Sequence, residues 1–122
     1  MQISEAESAV MEVLWRRRSA YADDVVAALS QTRDWQEATI KTLLNRLLKK
    51  GAVAAEKDGR RYRYSAVLQR DDWQQREADS LVDRLFGGRI APLVAQFSER
   101  NRLSRRDIAE LKRLIEELDN GR

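Results

Sequence analysis

The segment that decides the fold is residues 35–51, which read Trp35-Gln36-Glu37-Ala38-Thr39-Ile40-Lys41-Thr42-Leu43-Leu44-Asn45-Arg46-Leu47-Leu48-Lys49-Lys50-Gly51. Its apolar residues follow the i, i+3, i+4, i+7, i+8 spacing of a helix with one buried stripe. They are Ile40, Leu43, Leu44, Leu47 and Leu48. We therefore predict a helix that lies against a hydrophobic core and stops at Gly51, a typical C-terminal residue.

The opposite face of this predicted helix is polar and basic. Short side chains let a backbone approach a DNA groove, Thr and Asn can bond to base edges, and Lys and Arg can pair with phosphate or guanine. An ordinary solvated helix carries similar residues, so the helix alone leaves both interpretations open. The candidate DNA-binding residues on this face are Ala38, Thr39, Lys41, Thr42, Asn45, Arg46 and Lys49.

The next segment has the pattern of a β-hairpin. Two extended runs, 53–57 and 60–64, flank Asp58-Gly59, and both of these residues tolerate the positive φ that a two-residue hairpin turn needs. Alternation along the second run places its tyrosines on one face and its arginines around the tip and the other face. The arginines expected to contact DNA phosphate are Arg60, Arg61 and Arg63.

Positive charge is concentrated in this part of the chain. Between Gln36 and Tyr64, eight Lys and Arg residues stand against three acids, which gives +5, whereas the whole chain carries +3. Such a concentration on one helix and one hairpin is the electrostatic footprint of a protein that binds a polyanion.

Two shorter helices are predicted upstream of this segment. Ser4-Glu5-Ala6-Glu7 is a Ser-x-x-Glu capping box that opens the first. The second begins at Ala22 or Asp23, after an extended link over 19–21. Three helices and a basic hairpin predict a mainly α fold with a winged helix-turn-helix DNA-binding domain over residues 1–68.

Residues 69–122 predict a purely α-helical region with no net charge, because eleven Lys and Arg balance eleven Asp and Glu. Three short amphipathic helices cannot readily form an independent core, so we expect this region to be a dimerisation domain. The alternative is a monomer in which its apolar residues fold back on the first domain. The residues expected at the dimer surface are Trp73, Leu81, Leu85, Leu93, Phe97, Ile108, Leu111, Ile115 and Leu118.

Composition argues against several functional classes. The chain of 122 residues has no Cys and no His, which removes disulfides, thiol catalysis, Cys/His zinc sites and the usual general base. We expect no enzyme, no catalytic residue, no metal and no cofactor. The sequence shows neither an apolar run of membrane-spanning length nor a signal-peptide pattern, so we expect a cytoplasmic protein without membrane insertion.

The segment 35–51 resembles the recognition helix of the BlaI/MecI family of penicillinase repressors. The similarity extends to Ser4-Glu5-Ala6-Glu7, the hairpin, the Phe86-Gly87-Gly88 break and the Leu103-Ser104 entry to the last helix. The resemblance implies a homodimeric winged-helix transcriptional repressor that binds a dyad operator in double-stranded DNA. The related copper-responsive repressors have a cysteine-rich C-terminal metal site, which this chain lacks.

The resemblance also implies a target and a switch. Such repressors control β-lactamase or related antibiotic resistance genes, and a β-lactam-sensing membrane metalloprotease inactivates them by a cut at an Asn-Phe bond. The similar position here is Gln96-Phe97, where Gln stands in place of Asn. Two alternatives remain: a repressor of this family with unrelated target genes, and a winged-helix protein-interaction module that does not bind DNA.

Overall fold

The structure, a computed structural model, describes residues 1–121 and confirms the mainly α fold with a small wing. The chain forms two compact units, Met1–Gln74 and Gln75 onward, which divide inside a helix and later than the boundary expected after residue 68. In chain order the elements are α1 (Glu5–Arg16), β1 (Ala20–Tyr21), α2 (Ala22–Ser30), α3 (Glu37–Lys50), β2 (Val53–Asp58), β3 (Arg61–Ala66), α4 (Arg70–Phe86), α5 (Ile90–Glu99) and α6 (Arg105–Asn120).

Helices α1, α2 and α3 surround the core of the first unit. The predicted capping box starts α1: the Ser4 hydroxyl accepts from the Glu7 backbone N–H at 3.1 Å, and the Glu7 carboxylate accepts from the Ser4 N–H at 2.9 Å. These bonds satisfy two of the N–H groups that a helix start leaves without partners. The side chains of Val10, Met11 and Val25 are fully buried against α3 in the same core.

The apolar stripe of α3 is buried as predicted at Ile40, Leu43, Leu44 and Leu47, but Leu48 is 38% exposed. Leu48 comes eight residues after Ile40, which turns it about 80° away around the helix and leaves it at the edge of the stripe. The prediction of a buried Leu48 is therefore wrong.

Gly51 and Ala52 connect α3 to the wing. Gly51 ends the helix in the left-handed conformation, with φ of +82°, which a residue without Cβ adopts at no steric cost. Ala52 is fully buried; its N–H donates to the Leu47 carbonyl at 3.0 Å, and its carbonyl accepts from the N–H groups of Val67 at 2.8 Å and Leu68 at 3.0 Å. One residue thus joins both ends of the hairpin to the end of α3.

The wing is an antiparallel hairpin with one additional strand. β3 lies between β1 and β2, so the link over 19–21 contributes a short strand. Asp58 pairs with Arg61, which makes Gly59 and Arg60 the turn residues instead of the predicted Asp58-Gly59. Gly59 alone has positive φ, +66°, the sign pattern of a type II′ turn. The turn lies one residue later because Asp58 is held in the strand.

The first turn of α4 belongs to the first unit. The ring centroids of Trp15 and Trp73 are 5.4 Å apart, and the Trp15 indole N–H donates to the Leu68 carbonyl at 2.8 Å. Arg70 adds an ion pair with Glu12 at 3.3 Å. The structure thus packs Trp73 against the core of its own chain, because the start of α4 packs against α1.

The second unit has little core of its own. Within residues 75–121, Val82 is the one buried apolar side chain, and no residue of α5 or α6 is buried. Ser104 caps α6 with a second capping box, through its bond from the Asp107 N–H at 3.0 Å. The large apolar side chains that remain exposed here are Leu81, Leu85, Ile90, Phe97, Ile108, Leu114, Ile115 and Leu118.

An ion pair with a buried carboxylate links α1 to the end of α3. Glu7 is 2% exposed, and its carboxylate accepts from the Lys50 ammonium at 2.5 Å. Burial alone would raise the pKa of Glu7, but the hydrogen bonds from Lys50 and Ser4 outweigh it and lower that pKa below its ordinary value of 4.5. The ionised carboxylate is therefore part of the folded core.

We predict that Glu7→Gln lowers the free energy of unfolding by about 1–3 kcal/mol, because it leaves the Lys50 ammonium without its counter-charge. The lower part of this range is expected, since the Lys50 side chain is 38% exposed. Urea denaturation of the full chain at neutral pH measures the difference. Glu37→Gln, which removes an exposed carboxylate 3.1 Å from Lys41, is the matched control and should change the stability little.

The same comparison has a predicted pH dependence. Because the pKa of Glu7 is lower in the folded chain, its contribution is complete above the unfolded value of 4.5 and is lost as the pH falls through the folded value. The difference between the wild-type chain and Glu7→Gln should therefore shrink in acid. A difference that stays constant as the pH falls would contradict this assignment.

Candidate nucleic-acid interface

The polar face of α3 lies opposite its buried stripe. All seven residues predicted for this face are exposed: Ala38, Thr39, Lys41, Thr42, Asn45, Arg46 and Lys49. Four of them, together with Leu43, line a shallow depression along the helix. The Thr42 hydroxyl donates to the Ala38 carbonyl at 2.9 Å, so it still offers its oxygen lone pairs to an approaching donor. This face has the small and polar side chains that a base-reading helix needs.

Not every cation of this region is free to act on a ligand. Lys50 is bonded to Glu7, Lys41 lies 3.1 Å from Glu37, and Arg63 lies 2.7 Å from Asp58. The hydrogen bond from Lys41 to Glu37 raises the pKa of Lys41, so it stays charged. Among residues 1–121, the cations of this region that form no ion pair are Arg46, Lys49, Lys57, Arg60 and Arg61.

The arginines of the wing occupy two different environments. Arg60 lies exposed in the turn. The guanidinium of Arg61 lies 3.7 Å from the centroid of the Tyr21 ring, and that of Arg63 donates to the Tyr21 hydroxyl at 3.0 Å. The Tyr21 hydroxyl in turn donates to Asp58. We call Tyr21, Asp58, Arg61 and Arg63 the Tyr21 cluster.

Asp58 supplies the negative charge of the Tyr21 cluster. The hydrogen bond from Tyr21, followed by the charge of Arg63, lowers the pKa of Asp58 below its ordinary value. Asp58 is therefore ionised at neutral pH and offsets one of the two arginine charges beside it.

Tyr21 is the residue of this interface that the sequence interpretation missed. Its partners Asp58 and Arg63 are 37 and 42 residues away, so no local pattern connects them. The pairing of Tyr21 with Arg63 across β1 and β3 brings them together. Trp35 has a related contact before α3, where the Arg33 guanidinium lies 4.8 Å from its ring centroid.

Two structural features are absent from residues 1–121. This part of the chain holds no cluster of three or more acidic side chains arranged to bind a metal ion. Its helices are all too short or too polar to cross a membrane.

The sequence profile of the family described as Penicillinase repressor matches residues 3–117. The chain belongs to this family. Members of the penicillinase repressor family are DNA-binding transcriptional repressors and not enzymes, which confirms the resemblance found in residues 35–51 and decides the enzyme question.

Individual members of the penicillinase repressor family are similar over nearly the whole chain. The penicillinase repressor of Bacillus licheniformis is 37% identical over 119 residues, 98% of this chain and 93% of that one. The methicillin resistance regulatory protein MecI of Mammaliicoccus sciuri is 31% identical over 114 residues, 93% of each. The solved structure of Bacillus licheniformis BlaI, in monomeric form with the blaP half-operator, is 42% identical with a TM-score of 0.53, over 59% of this chain and 88% of that one.

Proposed function

We propose that this repressor inserts α3 into the major groove of an operator and places its wing along the phosphate backbone. The observation that carries the proposal is the exposed face of α3, which presents Thr42, Asn45 and Arg46 beside wing cations that form no ion pair. Side chains of these types read base edges, whereas the wing cations suit phosphate. The solved complex of the similar repressor BlaI with the blaP half-operator supports operator binding.

We propose further that the repressor acts as a homodimer on a dyad. The apolar side chains of α6 recur at Ile108, Leu111, Ile115 and Leu118, a helical stripe that leaves three of the four exposed. A second copy would bury this stripe and bring two α3 helices to half-sites separated by one DNA turn or a multiple of it. The second half-site then binds at an effective concentration on the order of millimolar.

The names of the relatives support control of β-lactamase or related resistance genes. We propose that a cut at Gln96-Phe97 by a β-lactam-sensing membrane metalloprotease relieves repression. This bond lies inside α5, where Phe97 is 37% exposed and its carbonyl accepts from the Arg102 N–H at 2.9 Å. A protease therefore needs local opening of α5 first. The cut would separate α6 from the DNA-binding unit and remove the avidity of the dimer.

We predict that α3 supplies specificity and the wing supplies affinity. A random duplex library selected on the full chain provides the preferred site. Asn45→Ala should relax the preference among variants of that site, by about 1–3 kcal/mol for a well-made base contact. Arg60→Ala should weaken binding to all duplexes. It should also reduce the slope of log binding constant against log salt concentration, here called the log-log salt slope, by roughly 0.9.

Equal losses on the preferred and random duplexes for both variants would contradict this division. The absence of enrichment even at low salt would favour the alternative of a protein-interaction module. Enrichment of a site found only beside genes unrelated to resistance would favour the other alternative, a repressor with different targets.

We predict that Ile115→Gln weakens the dimer, because an isoleucine side chain withdrawn from water contributes about 1.5–3 kcal/mol in each copy. Glu116→Gln introduces the same amide at the neighbouring position and is the matched control. Sedimentation equilibrium at micromolar concentration measures both. A wild-type monomer that binds the preferred site with undiminished affinity would rule the dimer out.

We predict that a β-lactam induces cleavage between Gln96 and Phe97. Mass spectrometry of the repressor from induced cells locates the cut, and Gln96→Asn, which restores the residue found in the resembled family, should be cut faster. Derepression with an intact chain, or with a cut elsewhere, would refute this switch.

A further inference from the structure

The Tyr21 cluster ties the wing to the helical part of the first unit. Tyr21 lies in β1 and pairs with Arg63 of β3, and its backbone N–H donates to the Asp24 carboxylate at 3.0 Å, in the first turn of α2. The backbone of Tyr21 is therefore held by strand pairing on one side and by a helix start on the other. Tyr21 is therefore an anchor for the wing residues that contact its side chain.

Both strands of the hairpin contact the Tyr21 side chain close to the turn. From the end of β2, Asp58 accepts a hydrogen bond from the Tyr21 hydroxyl. From β3, the Arg63 guanidinium nitrogen Nη2 lies 3.0 Å from that hydroxyl and 2.7 Å from Asp58 Oδ2, while Arg61 covers the ring face. One aromatic side chain thus joins the two strands to each other and to β1.

The charges of the cluster change what the wing can do at a duplex. Non-specific DNA binding depends on cations that neutralise phosphates and release counterions. Arg63 already has a carboxylate and a hydroxyl as partners, whereas Arg60 has no ion pair within residues 1–121. A phosphate would have to compete with Asp58 for Arg63, and Asp58 would repel it.

We propose that Asp58 raises the specificity of DNA binding by holding Arg63 away from phosphate, and that Tyr21 fixes the position of the wing. This inference rests on the proposed function. With Arg63 held, the wing contributes fewer sequence-independent contacts and meets the duplex in one orientation. Binding to random DNA is then weaker than the eight cations of the region predict, while the contacts of α3 are unaffected.

The first test replaces the charge and keeps the shape. Asp58→Asn retains an oxygen that can accept from Tyr21 but loses the carboxylate. On random duplex, the log-log salt slope of the full chain should steepen by up to about 0.9, and the ratio of preferred-site to random-site affinity should fall. Loss of affinity without a steeper slope would overturn the proposal.

The second test asks whether Arg63 carries the effect. In an Arg63→Gln background, Asp58→Asn should no longer steepen the slope. Arg63→Gln alone should leave the slope close to that of the wild type, whereas Arg60→Gln should reduce it by about 0.9. Equal reductions by the two arginine variants would show that Arg63 binds phosphate. A persistent effect of Asp58→Asn without Arg63 would show simple repulsion by the acid. Either result refutes the proposal.

The third test reads the position of the wing without DNA. Tyr21→Phe keeps the ring beneath Arg61 and removes the bridging hydroxyl. Amide hydrogen exchange at Asp58 and Arg61, the paired residues that flank the turn, should become faster in the free full chain, and unchanged exchange would overturn the positioning role. If the wild-type chain bound no duplex, the proposed function and the specificity role would both fail, while the exchange data would still decide whether Tyr21 positions the wing.

Discussion

Burial of four aliphatic side chains of α3 is the constraint on which the rest of the first unit depends. Ile40, Leu43, Leu44 and Leu47 must leave water together, and this fixes the rotation of the helix about its axis. The polar face is then presented outward as a consequence and needs no interaction of its own. Substitutions that moved the apolar stripe to the opposite side of α3 would remove both the core and the candidate DNA-binding face.

The same core also determines which charges are available. Packing of α1 against α3 brings Glu7 to Lys50, which takes one cation of the basic segment into an internal ion pair. Pairing of β1 with β3 brings Tyr21 to Arg63 and Asp58. The number of cations in a segment therefore overstates how many of them a ligand would find free, because tertiary contacts pair some of them.

The sequence predicts the features of this chain that depend on neighbours within a few residues. The stripe of α3 and the capping box at Ser4 follow from helical spacing and cap chemistry. The position of the turn at Gly59-Arg60 does not follow, because strand pairing decides it. The contacts of Tyr21 and the packing of Trp73 on Trp15 are equally invisible, since each joins residues far apart in the chain. These distant contacts decide which arginines are free and where the first unit ends.

The connection through Ala52 affects the entropy of binding. This one buried residue bonds both ends of the hairpin to the last turn of α3, and the next residue already begins a strand. The helix and the wing are consequently ordered relative to each other before any duplex arrives. The loss of conformational freedom between them occurs during folding and is not subtracted from the affinity for DNA. In this respect the DNA-binding surface of the first unit is preorganised by folding, so that the shape of this surface contributes to affinity together with its charge.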